Sequence, residues 1–328
     1  MIFDNTDYQP HDDESVLECL LRHGVEIDYS CKSGNCQSCI LKSLQGDIDT
    51  NSQRGLKPTA IEQGFFFACQ QKASTIDHAS FIDDKLLFSH ARLVDKYLFC
   101  DDICRITLEP VNSLYYHAGQ FINLKNPMGV VRSYSIASLP SDNQFVELHI
   151  HKKHNGAMTD WIFKQFNIGD NVDFQGPIGE CFYTSSDPNC PIILIGTGTG
   201  AAPLIGILKD ALKSNHKGSI VFYHGAKTIE GLYLHDELLE IEKNNTNFDY
   251  RPCLSPKNDA ETTPKITLGY CNEIALNEIT PSGDTLLFLC GNPDMVNQTR
   301  KKAFLAGIAS KNIYVDPFEY KDLRKASR

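Results

Sequence analysis

The sequence Cys31-Lys32-Ser33-Gly34-Asn35-Cys36-Gln37-Ser38-Cys39 gathers three cysteines in one short loop, and a fourth, Cys69, lies further along the chain. Their spacing, C-x4-C-x2-C-x29-C, is typical of four thiolates that hold a [2Fe–2S] cluster. The residues between the cysteines are small or turn-forming, so the loop can curl and its N–H groups can approach anionic sulfides. The spacing therefore predicts four metal ligands, which are Cys31, Cys36, Cys39 and Cys69.

Two other interpretations of these cysteines are buried free thiols and a zinc site. Zinc sites more often use two C-x2-C pairs, and buried structural cysteines rarely gather in a polar loop. The other cysteines of the chain form no second ligand set, so we expect them to serve packing. The cluster is the interpretation that the spacing favours.

The segments around the loop predict a small α+β domain over residues 1–82. An amphipathic helix is expected from Asp13 to Gly24, because its apolar residues recur on one side and glycine often ends a helix. CILKSLQGDID alternates like a strand with a turn at Gly46, and Phe65 to Ala73 reads as a second strand that carries Cys69.

The rest of the chain changes character twice, and this change predicts two further domains. Short alternating segments with turn residues between them predict an antiparallel β-barrel over residues 88–187, with one helix near Met158–Phe166. From Pro191 onward, strands, glycine loops and helices alternate, which predicts a parallel sheet with crossover helices over residues 188–328.

The composition of the chain indicates which classes of partner it can bind. The 328 residues carry a net charge of −10, which argues against nucleic acid and anionic membranes. No apolar run approaches the roughly 18 residues that span a bilayer, so we expect a cytoplasmic protein without membrane insertion. We also expect a monomer. Residues 1–80 contain 12 Asp/Glu and 6 Lys/Arg, and this acidic segment is expected to dock on a basic patch of an acceptor protein.

The segment Arg132-Ser133-Tyr134-Ser135 resembles the RxYS motif of the ferredoxin–NADP reductase superfamily. The resemblance implies that Arg132 pairs with the FAD pyrophosphate, that Tyr134 packs on the isoalloxazine and that Ser133 and Ser135 also lie in the flavin site. These roles suit the side chains, because guanidinium matches phosphate oxygens and a hydroxyl can bond the flavin edge where hydride arrives. Ser135 is accordingly predicted to be catalytic.

Other residues of the predicted barrel extend the resemblance. Gln120-Phe121 precedes the motif as in that superfamily, and Gly156-Ala157-Met158-Thr159 opens a helix whose N–H groups can bind phosphate. We therefore predict Gly156, Met158 and Thr159 as FAD-binding. His149 lies on a strand that by resemblance passes the pyrimidine edge of the flavin; direct contact and a solvated strand position both stay open.

A glycine-rich loop follows an apolar strand and opens a helix, as a pyrophosphate site requires. It resembles the nucleotide loop of ferredoxin reductases, and the predicted NAD(P)-binding residues are Gly196, Thr197, Gly198, Thr199, Gly200 and Pro203. The segment Cys290-Gly291-Asn292-Pro293 matches the CGNP segment of the same family. This match implies that Gly291, Asn292 and Pro293 bind the nucleotide and that Cys290 is catalytic beside the nicotinamide, with a buried core thiol as the alternative.

Two features of the predicted nicotinamide-nucleotide site stay open at this point. Phe318 or Tyr320 is expected to cover the flavin face, as an aromatic residue does in this superfamily. The choice between NADH and NADPH depends on the group that meets the adenosine 2′ position; Lys227 and Arg251 are available there, and the resemblance favours NADH.

The order of the motifs resembles the three-domain reductases of bacterial ring-hydroxylating dioxygenases and related monooxygenases. The resemblance implies a β-grasp ferredoxin domain, a β-barrel FAD domain and a Rossmann-like NAD domain, with electrons passing from NAD(P)H through FAD and the cluster to a terminal oxygenase. Two alternatives are the reductase of a deoxysugar (CDP-4-keto-6-deoxyglucose type) dehydrase, which shares this domain order, and a redox sensor without turnover.

Overall fold

Three β-sheets, each formed by a separate part of the chain, organise the molecule. A computed structural model of the protein describes residues 1–140, 145–184, 187–256, 265–278, 280 and 282–318. The mixed first sheet carries the cysteine loop, the antiparallel second sheet is a barrel, and the third sheet is parallel.

The first sheet has five strands in the spatial order β2-β1-β5-β3-β4, with β1 and β5 parallel. Its elements are β1 (Ile2–Phe3), β2 (Thr6–Asp7), α1 (Val16–Arg22), β3 (Ile40–Gly46), α2 (Pro58–Glu62), β4 (Phe65–Phe67) and β5 (Ile76–Ser80). The predicted first helix is confirmed as α1: Ser15 and Glu18 cap it reciprocally, and Gly24 follows its end at φ +79°. Leu17 and Leu20 bury its inner face in the core of this sheet.

The second predicted strand of this domain is too long. β4 ends at Phe67, and the backbone N–H of Gln70 donates to the Phe67 carbonyl at 2.9 Å in a turn. Cys69 therefore lies in the turn that follows the strand. The turn carries Cys69 beside the cysteine loop, since the Gln70 side chain also donates to the Lys32 carbonyl at 3.2 Å.

The second sheet has the strand order β10-β7-β6-β11-β8-β9. A bridge between Ile136 and Leu148 joins its two edges, so that the sheet closes into the predicted barrel. Its elements, after the short helix α3 (Asp84–Leu87), are β6 (Ser89–Cys100), β7 (Ile103–Pro110), β8 (Phe121–Lys125), β9 (Val131–Ser135), β10 (Val146–His151), α4 (Ala157–Lys164) and β11 (Asn171–Ile178). Trp161 and Ile162 of α4 pack into the barrel core.

The third sheet has six parallel strands in the order β15-β14-β13-β12-β16-β17. Its elements are β12 (Ile192–Thr197), α5 (Ala201–Lys213), β13 (Ile220–Ala226), α6 (His235–Asn244), β14 (Phe248–Leu254), β15 (Thr267–Leu268), α7 (Cys271–Glu278), β16 (Leu286–Gly291), α8 (Pro293–Leu305) and β17 (Ile313–Pro317). The chain winds one way from β12 to β15 and then crosses to β16 on the other side. In such sheets the crevice at the carboxyl ends of the two strands beside the crossover binds ligands.

These sheets confirm the predicted fold class of a ferredoxin domain, a barrel domain and a parallel-sheet nucleotide domain. The boundaries at 1–82, 88–187 and 188–328 remain predictions. Among the described residues, no helix is both long and apolar enough to cross a membrane.

Candidate active site

A single cleft of about 1780 Å³ brings together residues that are far apart in sequence. Its wall includes the cysteine loop, the strand β9 and the start of α4. Thr199, from the glycine-rich loop, and residues 313–318 of the C-terminal segment complete it. Three of the predicted sites therefore open onto one continuous space.

The cysteine loop folds around its own sulfur atoms. Lys32, Gly34 and Gln37 adopt positive φ values of 54°, 81° and 57°, which turn the chain back on itself. The backbone N–H groups of Ser33 and Cys36 each donate to the Cys31 Sγ at 3.3 Å. The loop thus presents N–H donors to sulfur, as the sequence predicts.

The four cysteines form two thiol pairs, Cys31 with Cys36 and Cys39 with Cys69. Hydrogen bonds from Cys36 and Ser33 outweigh burial and lower the pKa of Cys31 to about 4. Hydrogen bonds from Cys39 and Gln70 likewise lower the pKa of Cys69 to about 7. The pKa values of Cys36 and Cys39 are raised, because each thiol is the donor in its pair and is buried.

This arrangement fits two irons better than a single zinc ion. In the described part of the chain, no three His, Cys, Asp or Glu side chains come close enough to hold one metal ion. Zinc would need all four sulfurs around one centre, whereas a [2Fe–2S] cluster takes a pair of thiolates at each iron. Two separate pairs, each with one thiol of lowered pKa, meet that requirement.

The strand β9 carries the RSYS motif, and Arg132 and Tyr134, two residues apart, project from the same face of this strand. Arg132 is half-buried, lines the cleft and donates to the Val131 carbonyl at 2.6 Å. Tyr134 packs against the barrel core, where burial raises the pKa of its phenol. A guanidinium and an aromatic ring thus lie in the wall of the cleft, where the motif predicts FAD.

The start of α4 supplies a second wall for the same ligand. Gly156 precedes the helix, and a Cβ there would approach the Thr159 Oγ1 to 2.5 Å and the Lys153 carbonyl to 3.2 Å, so a larger residue does not fit. Thr159 closes this turn by donating to the Gly156 carbonyl at 3.2 Å. Met158 is almost fully buried in the barrel core. The helix N-terminus opens on the cleft, which suits phosphate.

His149 lies on β10 at the edge of the cleft with both ring nitrogens bonded to protein. Its Nδ1 is 2.9 Å from the Tyr233 hydroxyl, and its Nε2 is 2.9 Å from the Glu147 carboxylate. The bond to Tyr233 ties the barrel to the parallel-sheet domain, whereas Glu147 lies on the same strand as His149. Contact between His149 and the flavin stays a prediction.

Asp316 is a residue that the sequence analysis missed. It lies on β17, and its Oδ2 accepts a hydrogen bond from the Ser135 hydroxyl at 2.8 Å across the cleft. Burial raises the pKa of Asp316 to about 6, although the bond from Ser135 opposes this shift. Nothing in the spacing of the chain links positions 135 and 316, so only the fold reveals the pair.

The glycine-rich loop approaches the CGNP segment at the crossover of the parallel sheet. A Cβ on Gly200 would lie 2.5 Å from the Cys290 carbonyl, and one on Gly291 would lie 2.5 Å from the Thr197 Oγ1. The Asn292 N–H donates to that same Oγ1 at 2.9 Å. The glycines therefore allow two backbones to meet, and the meeting point is the crevice where this sheet type binds nucleotides.

Other residues that are predicted to bind the nucleotide also lie at the starts of helices α5 and α8. Asn292 caps α8 by accepting from the Met295 N–H at 3.1 Å, and Pro293 occupies the first turn of that helix. Pro203 is buried in the first turn of α5. A second residue that sequence reasoning missed, His224, lies under the loop with its Nε2 3.3 Å from the Gly198 carbonyl, and burial lowers its pKa to about 4.

Cys290 is fully buried, and its Sγ is 3.8 Å from the Sγ of Cys181. Burial and the neighbouring thiol raise the pKa of Cys290 well above the usual value. Cys181 itself lines the cleft. The structure thus keeps a neutral thiol behind the cleft wall, and its catalytic role stays a prediction.

Phe318 lines the cleft, and its N–H donates to the Gly291 carbonyl at 2.7 Å. The alternative candidate for the flavin cover, Tyr320, lies outside the described residues. Arg251 lies inside β14, where Asp249 holds its guanidinium at 2.7 Å. Arg251 is one of the two cations considered for the adenosine 2′ position, and in the structure it is paired with Asp249.

Family models match most of the chain in three parts. Residues 4–74 match the 2Fe-2S iron-sulfur cluster binding domain, residues 90–183 the oxidoreductase FAD-binding domain and residues 194–301 the oxidoreductase NAD-binding domain. The predicted cofactors, a [2Fe–2S] cluster, FAD and a nicotinamide nucleotide, are thereby confirmed.

Curated relatives with these domains are reductase components. The chain is 31% identical over 304 residues to the reductase subunit of an aromatic O-demethylase of Amycolatopsis, with 89% of each chain covered. It is 27% identical to the ferredoxin–NAD(P)(+) reductase component of the naphthalene 1,2-dioxygenase system of Pseudomonas putida, with 93% of each chain covered. The same identity and coverage apply to a CDP-6-deoxy-L-threo-D-glycero-4-hexulose-3-dehydrase reductase of Yersinia pestis.

A solved structure also matches over nearly the full length. A cytochrome P450 reductase of Amycolatopsis superposes with a TM-score of 0.69 at 27% identity, covering 96% of this chain and 97% of the other. The three sheets are therefore arranged along the chain as in that reductase.

Proposed function

The chain belongs to the family of three-domain ferredoxin–FAD–NAD(P)H reductases, and from this premise we propose that it delivers electrons from NADH to a partner oxygenase. It is an NAD(P)H-dependent oxidoreductase that uses FAD and a [2Fe–2S] cluster. The observation that carries the proposal is the shared cleft, because the cysteine loop, the RSYS strand and the end of the nucleotide loop all open onto it.

The residues of the cleft have different roles in binding the cofactors. When bound, FAD exchanges two electrons with a nicotinamide and single electrons with a one-electron carrier such as an iron–sulfur cluster. Arg132 and the N-terminus of α4 bind the flavin phosphates, and Tyr134 keeps water from the ring. Ser135 places its hydroxyl, and Asp316 its carboxyl group, at the edge of the flavin where hydride arrives. The glycines at positions 196, 198 and 200 leave room for the nicotinamide nucleotide.

The ligand set of the cluster is part of the proposal. Cys31 and Cys36 hold one iron, and Cys39 and Cys69 hold the other, as their pairing in the structure supports. Phe318 is the aromatic residue that we propose for the flavin face, since it lines the cleft. NADH is the proposed donor because Asp249 engages Arg251.

Electron flow through both cofactors is tested with two acceptors. Ferricyanide takes electrons from the flavin, whereas cytochrome c reports those that have passed through the cluster. We expect an absorption spectrum with flavin and iron–sulfur bands, and NADH-driven reduction of both acceptors. Both cofactors with negligible turnover would instead favour the redox sensor, and faster turnover with NADPH would contradict the donor preference.

An oxygenase is the proposed partner because the naphthalene dioxygenase relative serves one, and a deoxysugar dehydrase is the second candidate because the Yersinia relative serves that enzyme. Co-purification that recovers an oxygenase supports the first, and recovery of a dehydrase overturns it. We further propose that the protein is a cytoplasmic monomer and that it binds no nucleic acid.

The acidic first domain predicts how this partner docks. Because residues 1–80 carry −6 of the net charge of −10, we expect reduction of the partner to slow several-fold as salt rises from about 0.05 to 0.5 M. Stopped-flow reduction of the flavin by NADH serves as the control, since it involves no protein docking. A partner reaction insensitive to salt would contradict electrostatic docking.

A further inference from the structure

Asn123 is an amide side chain fully buried in the middle of a barrel strand. Its neighbours on β8, Ile122 and Leu124, are buried and apolar, as a barrel core requires. Asparagine is depleted in strands, and the large majority of buried polar side-chain atoms have a hydrogen-bond partner. The apolar packing of the barrel core therefore gives no reason for this residue, and its hydrogen-bond partners must explain it.

The partners of Asn123 belong to two domains. Its Nδ2 donates to the carbonyl of Cys36 at 2.9 Å, in the cysteine loop, and to the Gln175 Oε1 at 2.9 Å. Its Oδ1 accepts from the Ser133 hydroxyl at 2.7 Å. Both hydrogens and the oxygen of the amide are used.

The strands explain this geometry. Ser133, Asn123 and Gln175 are direct cross-strand neighbours on β9, β8 and β11, so their side chains share one face of the barrel. The Cys36 loop lies on that face. A continuous line of hydrogen bonds thus runs from the RSYS strand through Asn123 to the backbone of a proposed cluster ligand.

We propose that Asn123 is a positioning residue that fixes the cysteine loop against the flavin strand and so sets the rate of electron transfer between flavin and cluster. This inference rests on the proposed function. The amide bonds the Cys36 carbonyl and not the Cys36 Sγ that would hold iron, and it bonds the flavin strand through the Ser133 hydroxyl. A carbonyl left buried without a donor destabilises the docked arrangement, and small displacements of reacting groups reduce rates steeply.

Two substitutions remove the donors in different ways. Asn123→Asp keeps the shape and the acceptor for Ser133 but places an oxygen against the Cys36 carbonyl. Asn123→Leu removes the polar group without adding charge. The matched control is Asn126→Asp at the end of the same hairpin, where the Oδ1 accepts from the Met128 and Val130 N–H groups and the buried Nδ2 has no partner.

In both Asn123 variants we expect ferricyanide reduction to stay within about twofold of the wild type and cytochrome c reduction to fall about tenfold. Hydrogen exchange at residues 31–39 of the holoprotein should become about tenfold faster. Flavin and iron content should not change. The Asn126→Asp control should leave the ratio of the two rates and the exchange at residues 31–39 as in the wild type.

Several results would overturn the inference. These are a parallel fall of both rates, no change in either rate, loss of the cluster in the Asn123 variants, or the same change of ratio in Asn126→Asp. The exchange measurement separates this inference from the proposed function. If the wild type shows no NAD(P)H-driven turnover, the function fails, while unchanged exchange at residues 31–39 in the Asn123 variants rejects the positioning role by itself.

Discussion

The two ends of the cleft are built in different ways. The cysteine end comes mostly from one loop, residues 31–39, whose spacing is visible in the sequence. The opposite end joins Ser135, Asp316 and Cys290 from three strands, and these residues meet only in the folded chain.

Cys31 at one end and Cys290 at the other have opposite shifts in pKa, although both are cysteines. Hydrogen bonds at the cysteine end lower the pKa of Cys31 to about 4, which favours the thiolate that a metal needs. At the other end, burial raises the pKa of Cys290 and keeps its thiol neutral. Environment, more than residue identity, therefore sets the protonation state of each of these two cysteines. Each of the following predictions tests one end against the other.

The largest effect is expected from Cys39→Ser at the cysteine end. A serine hydroxyl does not replace a thiolate ligand, so the cluster should be lost and cytochrome c reduction should fall by at least about a hundredfold. Ferricyanide reduction should persist, because it needs only the opposite end. The control is Cys104→Ser, a buried cysteine of the barrel core. Retention of cytochrome c reduction without the cluster would refute the proposed order of electron flow.

Asp316→Asn tests the buried carboxyl at the other end. Because the pKa of Asp316 is raised from 3.8 to about 6, the folded state holds its proton more tightly than the unfolded chain. This contribution to stability is complete below about pH 4 and is lost as the pH rises through about 6, a change of about 3 kcal/mol.

The measurement for Asp316 is urea unfolding of wild type and variant between pH 4 and 7. The asparagine cannot titrate, so the difference in the free energy of unfolding should shift in favour of the variant as pH rises. A difference that is constant over this range would show that Asp316 has an ordinary pKa.

How much the sequence could predict follows the same division. Ligand spacing, strand alternation and glycine loops are local, so the cluster loop, the barrel and the parallel sheet could all be inferred. The extent of β4 could not, because the turn at Gln70 depends on the neighbouring loop. Asp316 and Asn123 could not either, since their roles come from partners on other strands or in another domain.

The smallest effect is expected from Ser135→Ala, and it should differ in kind from that of Cys39→Ser. The hydroxyl bonds a carboxyl group that is ionised at neutral pH, and such bonds contribute about 1.5–3 kcal/mol, so we expect both acceptor rates to fall roughly tenfold together. Anaerobic stopped-flow reduction of the flavin should slow by the same factor, with flavin and iron content unchanged.

Ser138→Ala is the control for that prediction, because within the described residues the bonds of the Ser138 hydroxyl go to groups of the barrel domain, including the Tyr116 hydroxyl at 2.8 Å and the Glu147 N–H at 3.0 Å. It should leave flavin reduction unchanged. If Ser135→Ala slowed cytochrome c reduction but not ferricyanide reduction, Ser135 would act on the cysteine end, and the division of the cleft into two ends would be wrong. An equal fall in both rates would instead place Ser135 before the point where the two electron paths separate.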